Sequence, residues 1–282
     1  MARSYRTPEY ESKVERFLRD LPPSNRYTYE RKEQLQEIRQ IEYHRLESSH
    51  ADTEISEYFV IVDISPFSFK QAFLIFDPIK GVRLFYDPEL HILILRMIRP
   101  EHAQAAITLH EVVTETIRPM GLFQAVQTYG GVSVNVGHGK QKEPDMGWGA
   151  MRPPRGVPKR PGVVLEVGLT EPETQLRNDA RMWVDPARGG TKMTLTAKIN
   201  RRKPELKLDA WEWNSDLQCA RVTQSTVIAK TGNNIAVSQS PLTIPFHYIF
   251  QRSPEHPREI DIKLAKQQLI VWATLVWGSQ DM

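Results

Sequence analysis

Four of the five residues from Val163 to Val167 (VVLEV) are apolar and three are valine, and the fifth, Glu166, is a charge in their midst. Such a run predicts a short strand covered on both faces, as in the parallel part of an α/β sheet. From Pro172 to Trp183 the spacing becomes helical, with Leu176, Ala180 and Trp183 on one face, and KMTLTAKIN (Lys192 to Asn200) is strand-like again. A strand, a helix and a strand in that order predict a right-handed crossover, so the fold class is α/β with a mixed sheet.

The preceding chain supplies the rest of a core. Runs at Tyr58–Asp63, Phe73–Phe76, Val82–Tyr86 and His91–Met97 are β-branched or aromatic and separated by Pro, Gly and Asp, the pattern of a strand meander. Pro100 and Glu101 open a helix over Ala103–Ile117 that Met120-Gly121 ends. Phe123–Thr128 and Val132–Val136 flank Tyr129-Gly130-Gly131, which reads as a hairpin turn, and Gly137–Pro161 reads as a loop. From 102 to 200 the expected order is therefore helix, strand, strand, loop with a short strand, strand, helix, strand.

Helical periods at 8–20 and 28–48 form an N-terminal helical extension over 1–50, with no residues that imply chemistry. The apolar positions Leu35, Ile38, Ile41 and Leu46 would make a protein-binding stripe if exposed. Residues 51–282 are expected to form one main domain with its core at about 100–200, ending in a β-rich tail closed by a helix at 264–277.

Composition narrows the function. The chain has 282 residues, 40% hydrophobic and 25% charged, and a net charge of +3, so it is neither disordered nor basic enough to name a partner. The single cysteine, Cys219, excludes an intramolecular disulfide and a cysteine zinc site and reads as a strand residue. The N-terminus lacks an apolar signal region, and the longest apolar stretch, Leu264–Trp277, is interrupted by Lys266, Gln267 and Gln268. The expected setting is intracellular, with no membrane partner. The sequence has no GxxxxGK[ST], GxGxxG, HExxH or GxSxG motif, which removes support for the commonest nucleotide, zinc-protease and serine-hydrolase readings.

What remains is a carboxylate pair. A carboxylate inside a buried strand costs several kcal/mol unless it is paired or binds metal. One reading pairs Glu166 with Arg177 or Arg181. The other brings it to Asp145, at the end of Glu143-Pro144-Asp145, to hold Mg²⁺ or Mn²⁺, which favours carboxylate oxygens and activates water against a phosphodiester. The segment from Gly137 to Pro161 carries six basic residues, Lys140, Lys142, Arg152, Arg155, Lys159 and Arg160, against two acids, which suits a phosphate backbone. Trp148 within it is a candidate to stack on a base.

Pro144-Asp145, then Glu166-Val167-Gly168, then the helix QLRNDARMW at 175–183 resembles the PD-(D/E)XK nuclease superfamily. It is similar in particular to the restriction-endonuclease-like domains of fungal and bacterial genomes. The resemblance covers roughly residues 55–275 and is strongest at 143–200. It implies a restriction-endonuclease-like α-β-β-β-α-β core and a metal-dependent nuclease acting on nucleic acid, DNA ahead of RNA, with homo-oligomers compatible. Asp145 and Glu166 would be metal ligands, with the Val167 carbonyl a third and Glu111 or Glu115 a possible addition from the first helix. The family motif places a lysine two residues after the glutamate, where this chain has Gly168. Arg181 and Lys198 are the leading replacements for that cation, with Arg177 and Lys192 behind them, and Gln175 is a candidate to position the water. The alternative is a catalytically degenerate member of the fold that binds nucleic acid or protein.

Overall fold

The computed structural model describes residues 7–48, 55–75, 80–169 and 172–282. It is a mixed α/β architecture with open mixed sheets and seven α-helices among the described residues. The chain begins with α1 (Pro8–Leu18), β1 (Asn25–Thr28), α2 (Lys32–Glu47), β2 (Tyr58–Val62), α3 (Pro66–Phe69), β3 (Val82–Asp87) and β4 (Ile92–Met97). Then come α4 (Pro100–Ile117), β5 (Val126–Thr128), β6 (Val134–Asn135), β7 (Gln141–Lys142), β8 (Met146–Ala150), β9 (Val163–Gly168), α5 (Glu173–Val184) and β10 (Met193–Ile199). The tail holds β11 (Glu205–Asn214), β12 (Cys219–Thr231), β13 (Asn234–Val237), β14 (Leu242–Ile244), α6 (Phe246–Phe250), β15 (Ile262–Leu264) and α7 (Lys266–Gly278). No described helix is long and apolar enough to cross a membrane.

Two large sheets hold most of these strands, and β14 and β15 form a small antiparallel pair of their own. The first has the order β1-β2-β4-β3-β7-β6, the second β13-β12-β11-β10-β9-β8-β5. In the second, β9 and β10 are parallel, joined across α5, while β5–β8, β8–β9 and β10–β11 are antiparallel. The alternation of β9 decides its packing. Val163, Leu165 and Val167 join the core under α4 and α7, which includes Leu109, Val113, Trp272 and Val276. Val164 faces the other way, onto Trp183 of α5. Glu166 shares that second face.

Several expectations are corrected. The Phe73–Phe76 run is not a strand: Ser65 caps α3, Pro66 starts it, and the chain continues as a π-helical segment to Ile75, with Phe76 outside the described residues. Phe69 stacks on Phe73 at 5.4 Å and on Tyr86 at 3.9 Å, so these aromatics meet at helical spacing. The N-terminal segment contains a strand as well as helices, since β1 pairs in parallel with β2. On α2, Leu35, Ile38 and Leu46 are buried, so no continuous exposed stripe exists. Ile41 alone of that set is exposed, while Glu42 is buried. There Glu42 accepts hydrogen bonds from Asn25, Tyr27 and Arg45.

The hairpin around Tyr129-Gly130-Gly131 does not form either. β5 pairs with β8, whereas β6 pairs with β7 on the edge of the first sheet. The 137–161 segment is thus no continuous loop. The chain leaves the second sheet after β5, turns through Gly137 (φ 87°) and Gly139 (φ 71°), adds β7 beside β3, and returns as β8. Asp145 lies at that return.

Candidate functional site

The seam between the two sheets gathers more charge than either sheet alone would tolerate. Register places Lys142 opposite Phe85 of β3, and the return to β8 sets Asp145 beside the C-terminal half of β9. From β4, Arg96 reaches across the seam, and from α4 so does His102. All four side chains are almost wholly buried, as is Glu166.

Asp145 is fully engaged. One carboxylate oxygen accepts from Arg96 Nη2, and the other accepts from the Val167 amide at 2.7 Å and lies 2.8 Å from His102 Nε2, which is also 2.6 Å from Arg96 Nη2. Arg96 Nη1 donates to the Val167 carbonyl at 3.1 Å and to the Tyr58 hydroxyl at 3.4 Å. Arg83 Nε stands 3.8 Å from the same carboxylate. Burial pushes this carboxyl up, but Arg96 and then His102 overcome it and hold it well below the usual aspartate range.

Glu166 has a different environment. Its Oε1 accepts from Trp183 Nε1 at 2.6 Å and lies 3.4 Å from Lys142 Nζ. Lys142 is also 3.2 Å from Asp179 of α5, which Gln175 Nε2 approaches at 3.3 Å. Burial raises the Glu166 carboxyl, with Lys142 opposing and Asp145 and Asp179 adding to the shift. Burial opposes the charge on Lys142, and Asp179 and Glu166 more than offset it, so the ammonium is held above the usual lysine range. Beside Glu166 and Lys142 is a cavity of about 300 Å³, closed on one side by Arg16, Phe17 and Asp20 near the end of α1. Asn178 Nδ2 donates to Asp20 at 2.9 Å and ties α5 to that segment. Glu143 also lines the cavity, and burial moves its carboxyl up to about 7, Arg83 opposing.

The structure therefore brings Asp145, Glu166 and Val167 to one place. As arranged, these donors do not fit a divalent cation. Mg²⁺ needs oxygens about 2.0–2.1 Å away in near-octahedral array. Here the Arg96 guanidinium takes the Asp145 oxygen and the Val167 carbonyl that would face it. Among the described residues no group of three or more His, Cys, Asp or Glu side chains is disposed to hold a metal ion.

Other expected residues lie elsewhere. Arg177 and Arg181 are exposed on α5, so the cation paired with Glu166 is Lys142. Lys198 sits opposite Gly168 in the register, yet its Nζ donates to the Leu169 carbonyl at 3.1 Å. Glu111 and Glu115 are exposed, and the residue that α4 contributes is His102. Trp148 is fully buried in β8, donating to His110 Nδ1 at 3.1 Å, which removes it as a base-stacking residue. Lys140 is paired with Asp87 at 2.7 Å, Lys142 is buried, and Arg160 donates to the Gly189 carbonyl at 2.7 Å. Only Arg152, Arg155 and Lys159 of the six basic residues are openly exposed. Lys192 is exposed as well, on the approach to β10.

Sequence reasoning passed over Arg96 and His102, and it placed Asp179 and Trp183 on the motif helix without giving them contacts at the site. Arg96 carried a usable signal: in HILILRM, as in VVLEV, one charge interrupts an apolar strand, and two such charges of opposite sign seek each other's surroundings. His102 carried none. In comparison with known proteins, no family model matches the chain and no curated protein matches it in sequence.

Proposed function

We propose that the chain is a catalytically degenerate member of the restriction-endonuclease-like fold, one that binds nucleic acid, DNA ahead of RNA, without cutting it. The order α4, β5, β8, β9, α5, β10, with its parallel β9–β10 crossover, supports that fold. The observation that carries the function is Arg96. A buried guanidinium bridging Asp145 and the Val167 carbonyl supplies the positive charge that a metal would bring, but it does not coordinate a water and lower its pKa as a divalent ion does. Nucleic acid is the partner because Arg152, Arg155 and Lys159 leave three exposed cations on one surface turn.

A second reading, a nuclease dependent on Mg²⁺ or Mn²⁺, is favoured by Lys142. Its ammonium stands beside Glu166, the surroundings that the resemblance gives to the lysine missing at Gly168. That reading requires Arg96 to leave Asp145.

One experiment separates the two. Single- and double-stranded DNA and RNA are incubated with Mg²⁺, Mn²⁺ or EDTA and with wild type, Glu166→Gln or Asp145→Asn, while binding is followed in parallel. Binding without cleavage in any condition supports the degenerate reading. Metal-dependent cleavage lost in both variants would establish the nuclease and overturn it.

A further inference from the structure

At the other end of β9 from Glu166, about 13 Å away at the usual rise of a strand, lies a cleft of about 760 Å³ that the carboxylate pair does not use. Its walls come from the segment before β9 (Val157 to Gly162), the segment before β10 (Gly190 to Lys192), the end of β11 and α6. Two half-buried rings, Trp213 and Tyr248, line it, with the His247 ring 4.7 Å from that of Tyr248. Arg160 and the exposed Lys192 give it positive charge, and Lys159 and Arg155 continue that charge along the adjoining turn. Its acid, Glu212, already accepts from Tyr248 at 2.7 Å and from Thr223 at 2.7 Å, and Arg252 is paired with Glu259 at 2.7 Å.

The cleft also holds polar groups with nothing to bond. Thr191 is 4% exposed, and its hydroxyl has no partner; Arg160 Nε and Gln251 Oε1 are likewise buried and unsatisfied. Half-buried aromatic faces beside a cationic rim match the way unpaired strands are held: bases on rings, phosphates on cations.

We infer that this cleft binds single-stranded nucleic acid, with bases stacked on Trp213 and Tyr248 and backbone phosphates on Lys192, Arg160 and the turn carrying Lys159. The inference rests on the nucleic-acid-binding reading above but not on the state of the Asp145–Glu166 pair.

The test is fluorescence anisotropy with a short fluorescein-labelled oligodeoxythymidine, run across a salt series with full-length protein. Trp213→Ala weakens binding about tenfold, and Trp213→Phe, which keeps an aromatic face, retains most of it. Lys192→Gln lowers the salt slope by about 0.7. Equal melting temperatures for the variants and wild type show that the fold is intact, and the lowered salt slope of Lys192→Gln carries the test if the alanine variant is destabilised. Wild-type binding that survives Trp213→Ala and Lys192→Gln, but falls when Arg152, Arg155 and Lys159 are neutralised together, overturns the cleft and leaves the nucleic-acid reading standing. No wild-type binding overturns both. Displacement of the oligonucleotide by polyglutamate at equal charge overturns the strand in favour of an acidic peptide.

Discussion

Lys142 Nζ stands 3.4 Å from Glu166 Oε1, although the lysine belongs to the first sheet and the glutamate to the second. The excursion of the chain through β6 and β7 exists in structural terms to deliver this contact. Without it, Glu166 and Asp179 would be two buried carboxyl groups side by side without Lys142 between them, an arrangement that self-repulsion and burial both oppose.

Lys142→Met therefore destabilises the protein by about 3 kcal/mol near neutral pH, the scale of losing one partner of a buried ion pair. Urea denaturation at pH 7.5 checks this loss. An unchanged midpoint would mean that Lys142 is not needed to hold Glu166 and Asp179 together.

Arg96 makes a prediction about metal. If its guanidinium stands in for a divalent ion at Asp145 and Val167, millimolar Mg²⁺ or Mn²⁺ leaves the melting temperature of wild type unchanged. Ligand at a hundred times its Kd would stabilise a folded protein by about 2.7 kcal/mol, a readily measured rise. Arg96→Met leaves the Asp145 carboxylate buried without its main partner and costs about 3 kcal/mol in urea denaturation. A metal-induced rise in wild type would refute the substitution of guanidinium for metal.

The pH dependence of stability follows from Glu166, whose carboxyl burial pushes up to about 8 from 4.5. The folded state holds this proton where the unfolded chain has released it, so stability falls as pH rises between those values and levels off above them. Glu166→Gln removes the titrating group while keeping an acceptor for Trp183. The variant should gain on wild type progressively from pH 5 to pH 8 in denaturation midpoints. A constant difference across that range would show that Glu166 is ionised in the fold throughout.

How much of this was legible beforehand depends on whether the signal was local. The β9–α5–β10 crossover was readable because VVLEV, Leu176-Ala180-Trp183 and KMTLTAKIN each carry their own period. α4 and α7 were readable for the same reason. The hairpin expected at Tyr129-Gly130-Gly131 failed because a Gly pair is equally at home where a chain changes sheets, and only partners distant in sequence decide which. Trp148 looked like an exposed ring among glycines and basic residues, whereas those glycines let β8 press against neighbouring chain. A Cβ on Gly149 would come within 2.5 Å of the Arg160 carbonyl. Asp145 and Glu166 were found as an anomaly of charge in apolar surroundings, but their partners lie 49 and 24 positions away in Arg96 and Lys142, beyond any pattern of spacing.

Gly162 links the fold to the cleft. A Cβ there would lie 1.7 Å from the Tyr248 carbonyl, a main-chain atom that cannot rotate away. Gly162→Ala must therefore move α6 off the start of β9, at about 3 kcal/mol, the upper part of the usual range for overpacking. Gly156 is the control. Its φ of 85° disfavours a side chain, but nothing lies within 4 Å of the position, so Gly156→Ala costs about 1 kcal/mol. Urea denaturation of the two variants should separate them by at least a factor of two in free energy. Tyr248 is one wall of the cleft, so oligodeoxythymidine binding should fall in Gly162→Ala and hold in Gly156→Ala, at temperatures where both remain folded. Equal binding by the two would detach α6 from the cleft's function while leaving the steric account of Gly162 in place.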